Sequence, residues 1–352
     1  MTSTISFPKS IDEAMVRAIE LDGVYRAGGT DLSDRRAHLA VHGQAELAPI
    51  VDLRDLPGLD SVVSDASGAW IGGLITLAEL GEHPGIAGLW PGIAEACGAL
   101  ANPQIRAVAT LAGNLMQAPR CWYYRHPDYA CLRKGGSTCY AREGDHLWHV
   151  CFDQSPCVAP HASTVAMALM AYDASVEYVV PGEAEPRLVP IIELLGTGLG
   201  TGLGTGLGDD RVLPAGGLIT TVRFGPPVSR EQTAYVRASN RTHAEWALAE
   251  VTVRLVLSRD GSIEFVRVAA GGVAPTPLRL TKVEQALHGA KPEADVLGKA
   301  AELARDGAKP LAMTGYKLDL LEGCVLEALE RALNASPTAA AVASDRANNG
   351  DD

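Results

Sequence analysis

Five of the chain's seven cysteines lie close together in the middle of the sequence: Cys121, Cys131, Cys139, Cys151 and Cys157. Cysteine thiolates are strong ligands for iron–sulfur clusters and for zinc, and such a site needs about four of them. The stretch therefore predicts a metal centre that is held by four of these five residues.

The chain between these cysteines suits a loop wrapped around a charged centre. Arg133, Lys134, Gly135 and Gly136 lie between the second and third cysteines. Glycine allows a tight backbone bend, and basic side chains can offset the negative charge of a four-thiolate cluster. Because neither helical nor strand periodicity runs through the stretch, we predict a long inserted loop over residues 119–158.

Three other interpretations compete with an iron–sulfur cluster. Ordinary buried side chains would not explain why the cysteines are clustered. An odd number of cysteines and the lack of a secretory signal peptide argue against disulfides and indicate a reducing compartment. Structural zinc stays open, although zinc sites usually carry close pairs such as C-x-x-C, which the sequence lacks. Spacing alone favours iron–sulfur only slightly over zinc.

The local sequence around each cysteine indicates which four are the ligands. Four of them follow a turn-prone or polar residue or stand beside glycine-rich chain: Cys121, Cys131, Cys139 and Cys157. Cys151 instead lies in the strand-like, apolar-flanked run 147–152. We therefore predict the four as the ligands, with Cys151 close enough in sequence to compete for the fourth position.

Two glycine loops could bind a phosphate-bearing ligand. The first follows a short predicted strand and reads Ala27, Gly28, Gly29, Thr30, Asp31, Leu32. Paired glycines after a strand let peptide N–H groups wrap a phosphate, although Asp31 would repel it unless it points away. A plain turn is the alternative.

The second loop, residues 110–115, precedes the cysteines and contains Thr110, Ala112, Gly113 and Asn114. Two such loops can close on one extended ligand.

With these motifs in place, the chain resembles a known family. The two glycine loops and the later Gly272-Val273-Ala274-Pro275 are similar to the FAD-binding subunits of the xanthine dehydrogenase group of molybdenum hydroxylases. The cysteine stretch resembles the members with an extra 4Fe–4S cluster, such as the flavin subunits of aldehyde oxidoreductases and 4-hydroxybenzoyl-CoA reductase. The matching residues are Arg120-Cys121-Trp122-Tyr123, Cys131, Arg133-Lys134-Gly135-Gly136 and Cys139-Tyr140-Ala141.

The resemblance implies an α+β fold. It implies a vanillyl-alcohol-oxidase (PCMH)-type FAD-binding domain of two α+β subdomains over residues 1–226, with a subdomain boundary near residue 57. A smaller α+β domain, like that of carbon monoxide dehydrogenase flavoproteins, would follow over residues 227–335. Both glycine loops would line the FAD pyrophosphate and ribityl chain.

Ser163 and Arg237 are further expected flavin contacts, but the chain departs from the family pattern around both. Thr164 stands where the family usually has Asp, and Arg237 stands where it often has Lys. Ser163 is equally well explained as a helix cap. These departures leave the contacts from this part of the chain open.

The resemblance also implies the function and the partners. An electron-transfer subunit of this kind would hold FAD and a 4Fe–4S cluster, while a large partner holds molybdopterin and a small partner holds 2Fe–2S clusters. The three chains would form a heterotrimer or a dimer of heterotrimers and pass electrons to a small-molecule acceptor. The alternative is a self-sufficient flavin oxidase with a structural zinc loop.

The composition limits the function further. A chain of 352 residues predicts two or three domains, and a net charge of −12 argues against a nucleic-acid-binding surface. Without a long apolar run we expect no membrane span. We expect a cytoplasmic location, with export of the folded complex left open.

Several elements should position these motifs. We predict a helix over residues 11–20 that is capped by Ser10, a strand over 24–26, and a helix from about 165 to 171. Cys97 falls on an apolar helical pattern and belongs to the core. A second helix is expected from His243 to Glu250, and Tyr316 and Lys317 are expected on the surface. The glycine-rich run over 195–210 predicts a flexible loop, and the tail 336–352 predicts disorder.

Overall fold

The computed structural model describes residues 4–42, 48–196, 213–241 and 245–338, which form three α/β units. The first subdomain is a parallel sheet in the order β1-β3-β2 with two helices: β1 (Ile5–Ser6), α1 (Ile11–Glu20), β2 (Val24–Arg26), α2 (Thr30–Val41) and β3 (Ile50–Asp52). The predicted helix over 11–20 is confirmed as α1. Its predicted cap is confirmed as well, because the Ser10 side chain accepts a hydrogen bond from Glu13 N.

The second subdomain contains a five-stranded antiparallel sheet in the order β4-β5-β8-β6-β7. Its strands are β4 (Val62–Asp65), β5 (Gly68–Gly72), β6 (Ser175–Val179), β7 (Arg187–Pro190) and β8 (Leu218–Phe224). Its helices are α3 (Leu77–Glu82), α4 (Pro84–Leu89), α5 (Pro91–Ala99), α6 (Pro103–Arg106), α7 (Leu111–Leu115), α8 (Trp122–Arg125), α9 (Thr164–Ala171) and α10 (Ile191–Leu195). Cys97 is fully buried in this core, as predicted.

The C-terminal domain is a four-stranded antiparallel sheet in the order β12-β11-β10-β9 with three helices. The elements are β9 (Gln232–Ala238), β10 (Ala249–Leu257), β11 (Ile263–Gly271), β12 (Leu278–Arg279), α11 (Thr281–Leu287), α12 (Ala294–Glu302) and α13 (Tyr316–Asn334). The prediction of a helix from His243 to Glu250 is wrong for the described part of that run. Its last two residues instead begin β10, which pairs with β9 and β11.

The cysteine loop, residues 119–158, is an insertion between α7 and α9. It contains only the short helix α8 and two 3-10 turns, Leu132–Lys134 and Tyr140–Arg142. Small apolar clusters of aromatic and cysteine side chains form its interior. The prediction of a long loop without extended regular structure is therefore confirmed.

Two predicted segments lie mostly outside the described residues. Only Leu195 and Gly196 of the predicted flexible loop 195–210 are described, at the end of α10. Of the predicted tail, residues 336–338 are described, and Thr338 N donates to Glu231 O at 2.9 Å. The remainder of both segments lies outside the described ranges.

Candidate functional site: two glycine loops beside a cysteine cavity

The first glycine loop leads directly into helix α2. Gly29 is the N-terminal cap residue, with φ of 74°, and no side chain caps the helix. The free N–H groups of the first turn, together with the helix dipole, favour an anion at this end of a helix. Thr30, Asp31 and Leu32 form that first turn and are half-buried. The loop therefore has the backbone of an anion cradle.

Gly28 is required for contact between the two loops. A Cβ atom placed on Gly28 would lie 1.8 Å from Val108 O, which precedes the second glycine loop. A backbone atom cannot move aside as a flexible side chain can, so only glycine fits here. Glycine is therefore needed at position 28 because the two loops pack closely there. From the sequence, the paired glycines were expected to bind a phosphate through their backbone.

Asp31 points into the protein. Its carboxylate accepts hydrogen bonds from Ala118 N at 2.9 Å and from Arg125 at 2.6 Å, and it pairs with Arg120 at 3.1 Å. Burial would raise the pKa of Asp31, but the charge of Arg120 and the bonds from Arg125 and Ala118 outweigh it, so the pKa falls below its usual value. Asp31 thus holds the first glycine loop to the start of the cysteine loop.

The second glycine loop is fixed by its own caps and by α9. The Thr110 side chain accepts a hydrogen bond from Gly113 N at 3.2 Å, and Ala112 N donates to Gly73 O at 2.9 Å. Ser163 Oγ donates to Asn114 Oδ1 at 2.5 Å and also accepts from Ala166 N. Ser163 is therefore the cap of α9, and it also lies beside a predicted flavin residue.

Arg237 lies on strand β9. Its guanidinium donates to Ala99 O at 2.8 Å and to Glu245 O, so it anchors the end of α5 and the segment before β10.

Thr164 donates to buried Glu250 at 2.9 Å. The residue that replaces the family's usual Asp thus links the second subdomain to the C-terminal domain.

The four predicted ligand cysteines line one cavity. Its empty space is about 310 Å³, counting the open mouth, and its walls include Cys121, Cys131, Cys139, Cys157, Tyr123, Tyr124, Tyr140, Arg133 and His149. Burial, with smaller contributions from the neighbouring Cys157 and Cys131, raises the pKa of Cys121 to about 12. Burial likewise raises the pKa of Cys131. These thiols need a bound cation to ionise at neutral pH.

Basic side chains surround the cavity. Arg133 Nε lies 3.3 Å from Cys157 Sγ, within hydrogen-bonding reach for sulfur. Arg142 forms a two-pronged ion pair with Asp153, with both N–O distances at 2.8 Å, and it donates to Ser155 O and Pro156 O just before Cys157. Arg142 therefore fixes the backbone that carries Cys157.

Cys151 is placed elsewhere. It is fully buried against the core of the C-terminal domain, and its N–H donates to Val273 O at 2.9 Å. Burial raises the pKa of its thiol to about 11. Its separation from the walls of the cavity supports its exclusion from the ligand set, which stays a prediction.

Lys317 is a residue that sequence reasoning placed wrongly. The predicted surface side chain is only 1% exposed, and its ammonium donates to Trp148 O, His149 O and Gly272 O at 3.3, 3.0 and 2.7 Å. Burial lowers the pKa of Lys317 to about 8. Burial and the charge of Lys317 lower the pKa of His149 to about 4. The signal was present, because Lys317 falls on the buried face of α13 with Leu321, Cys324 and Ala328.

Comparison with known proteins identifies the family. The family described as the FAD binding domain in molybdopterin dehydrogenase matches residues 2–224, more than half of the chain. The chain belongs to this family. The family described as the CO dehydrogenase flavoprotein C-terminal domain matches residues 234–332. The protein is therefore a FAD-binding subunit of the molybdenum hydroxylase type, and the predicted fold class is confirmed.

Individual relatives agree with this family assignment. The FAD-binding subunit PaoB of the aldehyde oxidoreductase of Escherichia coli K12 is 32% identical over 325 residues, covering 91% of this chain and 95% of the relative. Carbon monoxide dehydrogenase from Hydrogenophaga pseudoflava shares the fold with a TM-score of 0.70 at 21% identity, covering 96% of this chain and 99% of the other. Quinoline 2-oxidoreductase from Pseudomonas putida 86 also has a TM-score of 0.70, at 18% identity, covering 95% and 98%.

These comparisons confirm two predictions about the FAD-binding subunit: it binds FAD, and it is part of an oxidoreductase. Within the described ranges, no helix is both long enough and apolar enough to cross a membrane. In the same ranges, no group of three or more His, Cys, Asp or Glu side chains is arranged to hold a metal ion.

Proposed function

We propose that this FAD-binding subunit also holds a 4Fe–4S cluster on Cys121, Cys131, Cys139 and Cys157. In this role it passes electrons from the molybdenum and 2Fe–2S partners through FAD to an external acceptor. The observation that carries the proposal is the convergence of these four cysteines, and not Cys151, on one cavity. The cluster would supply one-electron transfer, and the chain supplies its ligands and the surrounding charge.

The chemistry of the cavity favours a cluster over a single zinc ion. A zinc ion binds sulfur at about 2.3 Å, so its four thiolates must lie within about 4 Å of one another. Each cysteine of a 4Fe–4S cluster binds a different iron, which allows the thiolates to stand farther apart. The four cysteines line one cavity, and no ready-made single-metal site exists among the described residues. The wall residues thus fit the larger group.

The two cofactor sites would share a wall. Asp31 in the first glycine loop binds Arg120, the residue before Cys121, and Arg125, four residues after it. Arg125 also donates to Pro119 O at 2.9 Å and to Ala118 O. Asp31 and its two arginines therefore join the two loops, and the two groups would lie on neighbouring loops.

We propose that FAD is held by the two glycine loops. The uncapped first turn of α2 would accept the pyrophosphate, and the linked Asn114 and Ser163 would lie along the flavin chain. Ala27, Gly28, Gly29, Thr30, Leu32, Thr110, Ala112 and Gly113 would form the remaining backbone cradle. Asp31 would act through its arginines, and Arg237 would position the C-terminal domain.

The same relationship supports our inference about the partners. The 32% identical relative is, by its name, one subunit of an aldehyde oxidoreductase. We infer a large molybdopterin-binding partner and a small 2Fe–2S partner for this chain, together with a reducing, cytoplasmic location in which the cysteines form no disulfides.

Metal analysis of the complex purified from its host tests this function against a self-sufficient oxidase with a zinc loop. A 4Fe–4S cluster requires about four irons and equal sulfide on the FAD-binding chain, besides iron and molybdenum on its partners. One zinc per chain, with no iron and no partner chains, would establish the alternative.

A further inference from the structure

We propose that His149 faces the group bound in the cysteine cavity and donates a hydrogen bond from its imidazole to one of the cluster's sulfur atoms. The inference rests on the proposed 4Fe–4S cluster. Its basis is a buried imidazole in the cavity wall whose ring nitrogens have no hydrogen-bond partner within the part of the chain that the structure describes.

The burial of His149 leaves its ring nitrogens unsatisfied. The residue is only 6% exposed, and neither Nδ1 nor Nε2 has a partner among the described residues. A neutral imidazole carries one N–H donor and one acceptor, and buried polar groups are almost always paired. His149 lines the same cavity as the four cysteines. A sulfur acceptor in that cavity would complete its hydrogen bonding.

The neighbouring His146 shows that an unpaired imidazole is unusual in this loop. His146 is equally buried, at 6% exposed. Its Nδ1 lies 2.8 Å from Ala141 O, and its Nε2 accepts from Met313 N at 3.2 Å. The ring of His146 is thus hydrogen-bonded to the backbone of Ala141 and Met313. The ring of His149 instead lines the cavity.

The backbone of His149 is held in place. Its N–H donates to His146 O at 3.0 Å, and its carbonyl accepts from Lys317 Nζ at 3.0 Å. Lys317 also binds the preceding carbonyl, Trp148 O. A fixed backbone together with burial of the side chain restricts the positions that the ring can take, so His149 is suited to place a donor in the cavity.

The role of a hydrogen-bond donor fits His149 better than that of a ligand. Four cysteines already complete the usual ligand set of a 4Fe–4S cluster. Hydrogen bonds to cluster sulfur stabilise the more negative, reduced state and so raise the reduction potential. His149 would therefore be a positioning and tuning residue that makes the cluster easier to reduce.

The test is an EPR-monitored redox titration of the cluster in the purified complex. His149→Phe fills the same space without a donor, and His149→Gln restores an N–H donor. We expect His149→Phe to keep iron and FAD, with a midpoint potential shifted to more negative values, and His149→Gln to lie closer to wild type. His146→Gln is the matched control and should leave the potential unchanged.

Three results would overturn the inference, and they are distinguishable. A wild-type potential in iron-loaded His149→Phe would show that the ring is only packing. Loss of the cluster from both His149 variants, with FAD retained, would make His149 a ligand. Absence of iron from this chain in the wild-type complex would overturn the proposed cluster itself, and this inference with it.

Discussion

The glycine loops and the cysteine loop lie against each other, yet different interactions hold them in place. The glycine loops belong to regular elements: the first begins α2, and the second carries its own Thr110 cap and abuts the cap of α9. The cysteine loop has little regular structure and is held by side chains, among them Arg142, Arg125 and Lys317. The flavin cradle should therefore form from the backbone, whereas the cysteine cavity should depend on a few buried charges.

The largest effect is expected where the two glycine loops touch. Gly28→Ala would place a methyl group on Val108 O, so the loops must separate. We expect a loss of about 3 kcal/mol in the free energy of unfolding, together with loss of FAD, measured by chemical denaturation and flavin absorbance. Gly98→Ala in α5, where nothing lies within 4 Å of the new Cβ, is the matched control and should be neutral or stabilising. Full FAD content and unchanged stability in Gly28→Ala would contradict this packing role.

Lys317→Met should affect the cysteine loop more than the flavin cradle. It removes the donor to three buried carbonyls, and each unsatisfied group costs about 1–3 kcal/mol before the structure relaxes. We expect a net loss of about 2 kcal/mol at neutral pH, a lower iron content and near-normal FAD. The exposed Lys299→Met should change neither cofactor. Selective loss of FAD from Lys317→Met would reverse the assignment.

The pH dependence of stability should report on the same lysine. The folded pKa of Lys317 is lowered to about 8 from its ordinary value of 10.5. Below pH 8 both states hold the proton; between the two values the unfolded state binds more protons, so stability rises with pH. Relative to Lys317→Met, the wild type should gain up to about 3 kcal/mol across this window. A flat difference between the two proteins would show that folding does not lower the pKa of Lys317.

Asp31→Asn separates the two regions directly. The substitution removes the charge that pairs with Arg120 and Arg125 but leaves the backbone N–H groups of α2 in place. We expect about 2 kcal/mol lower stability and a loss of iron with FAD largely retained. Asp60→Asn, at an exposed position, is the control. Loss of FAD with iron retained would show that Asp31 serves the flavin instead.

The smallest expected effect concerns flavin affinity. Asn114→Asp is nearly isosteric but places a negative charge along the proposed flavin chain, on the same ligand as its two phosphates. We expect FAD to dissociate about tenfold more readily, measured by fluorescence as the flavin is released. Asn102→Asp caps α6 equally well and should leave affinity unchanged. Equal affinities in the two variants would place Asn114 away from the flavin.

The sequence allowed local features to be predicted better than distant ones. The Ser10 cap, strand β2 and helix α9 were predictable because their signals are contiguous. The run from His243 to Glu250 is rich in helix-forming residues, but its end pairs with strands on both sides, and this pairing prevails over propensity. The bond between Asp31 and Arg125 spans 94 positions, so no local pattern could reveal it. Lys317 was misplaced because residue type was weighed above its place on the apolar face of α13.

Iron content and the 4Fe–4S spectrum of Cys157→Ala and Cys151→Ala, each purified with its partner subunits, test the central claim most directly. Cys157 lines the cavity, with Arg133 at 3.3 Å from its sulfur, whereas Cys151 is buried in the C-terminal core. The cluster of the FAD-binding chain should be lost or degraded in Cys157→Ala and intact in Cys151→Ala, with FAD bound in both. An intact cluster in Cys157→Ala together with its loss in Cys151→Ala would contradict the proposed ligand set.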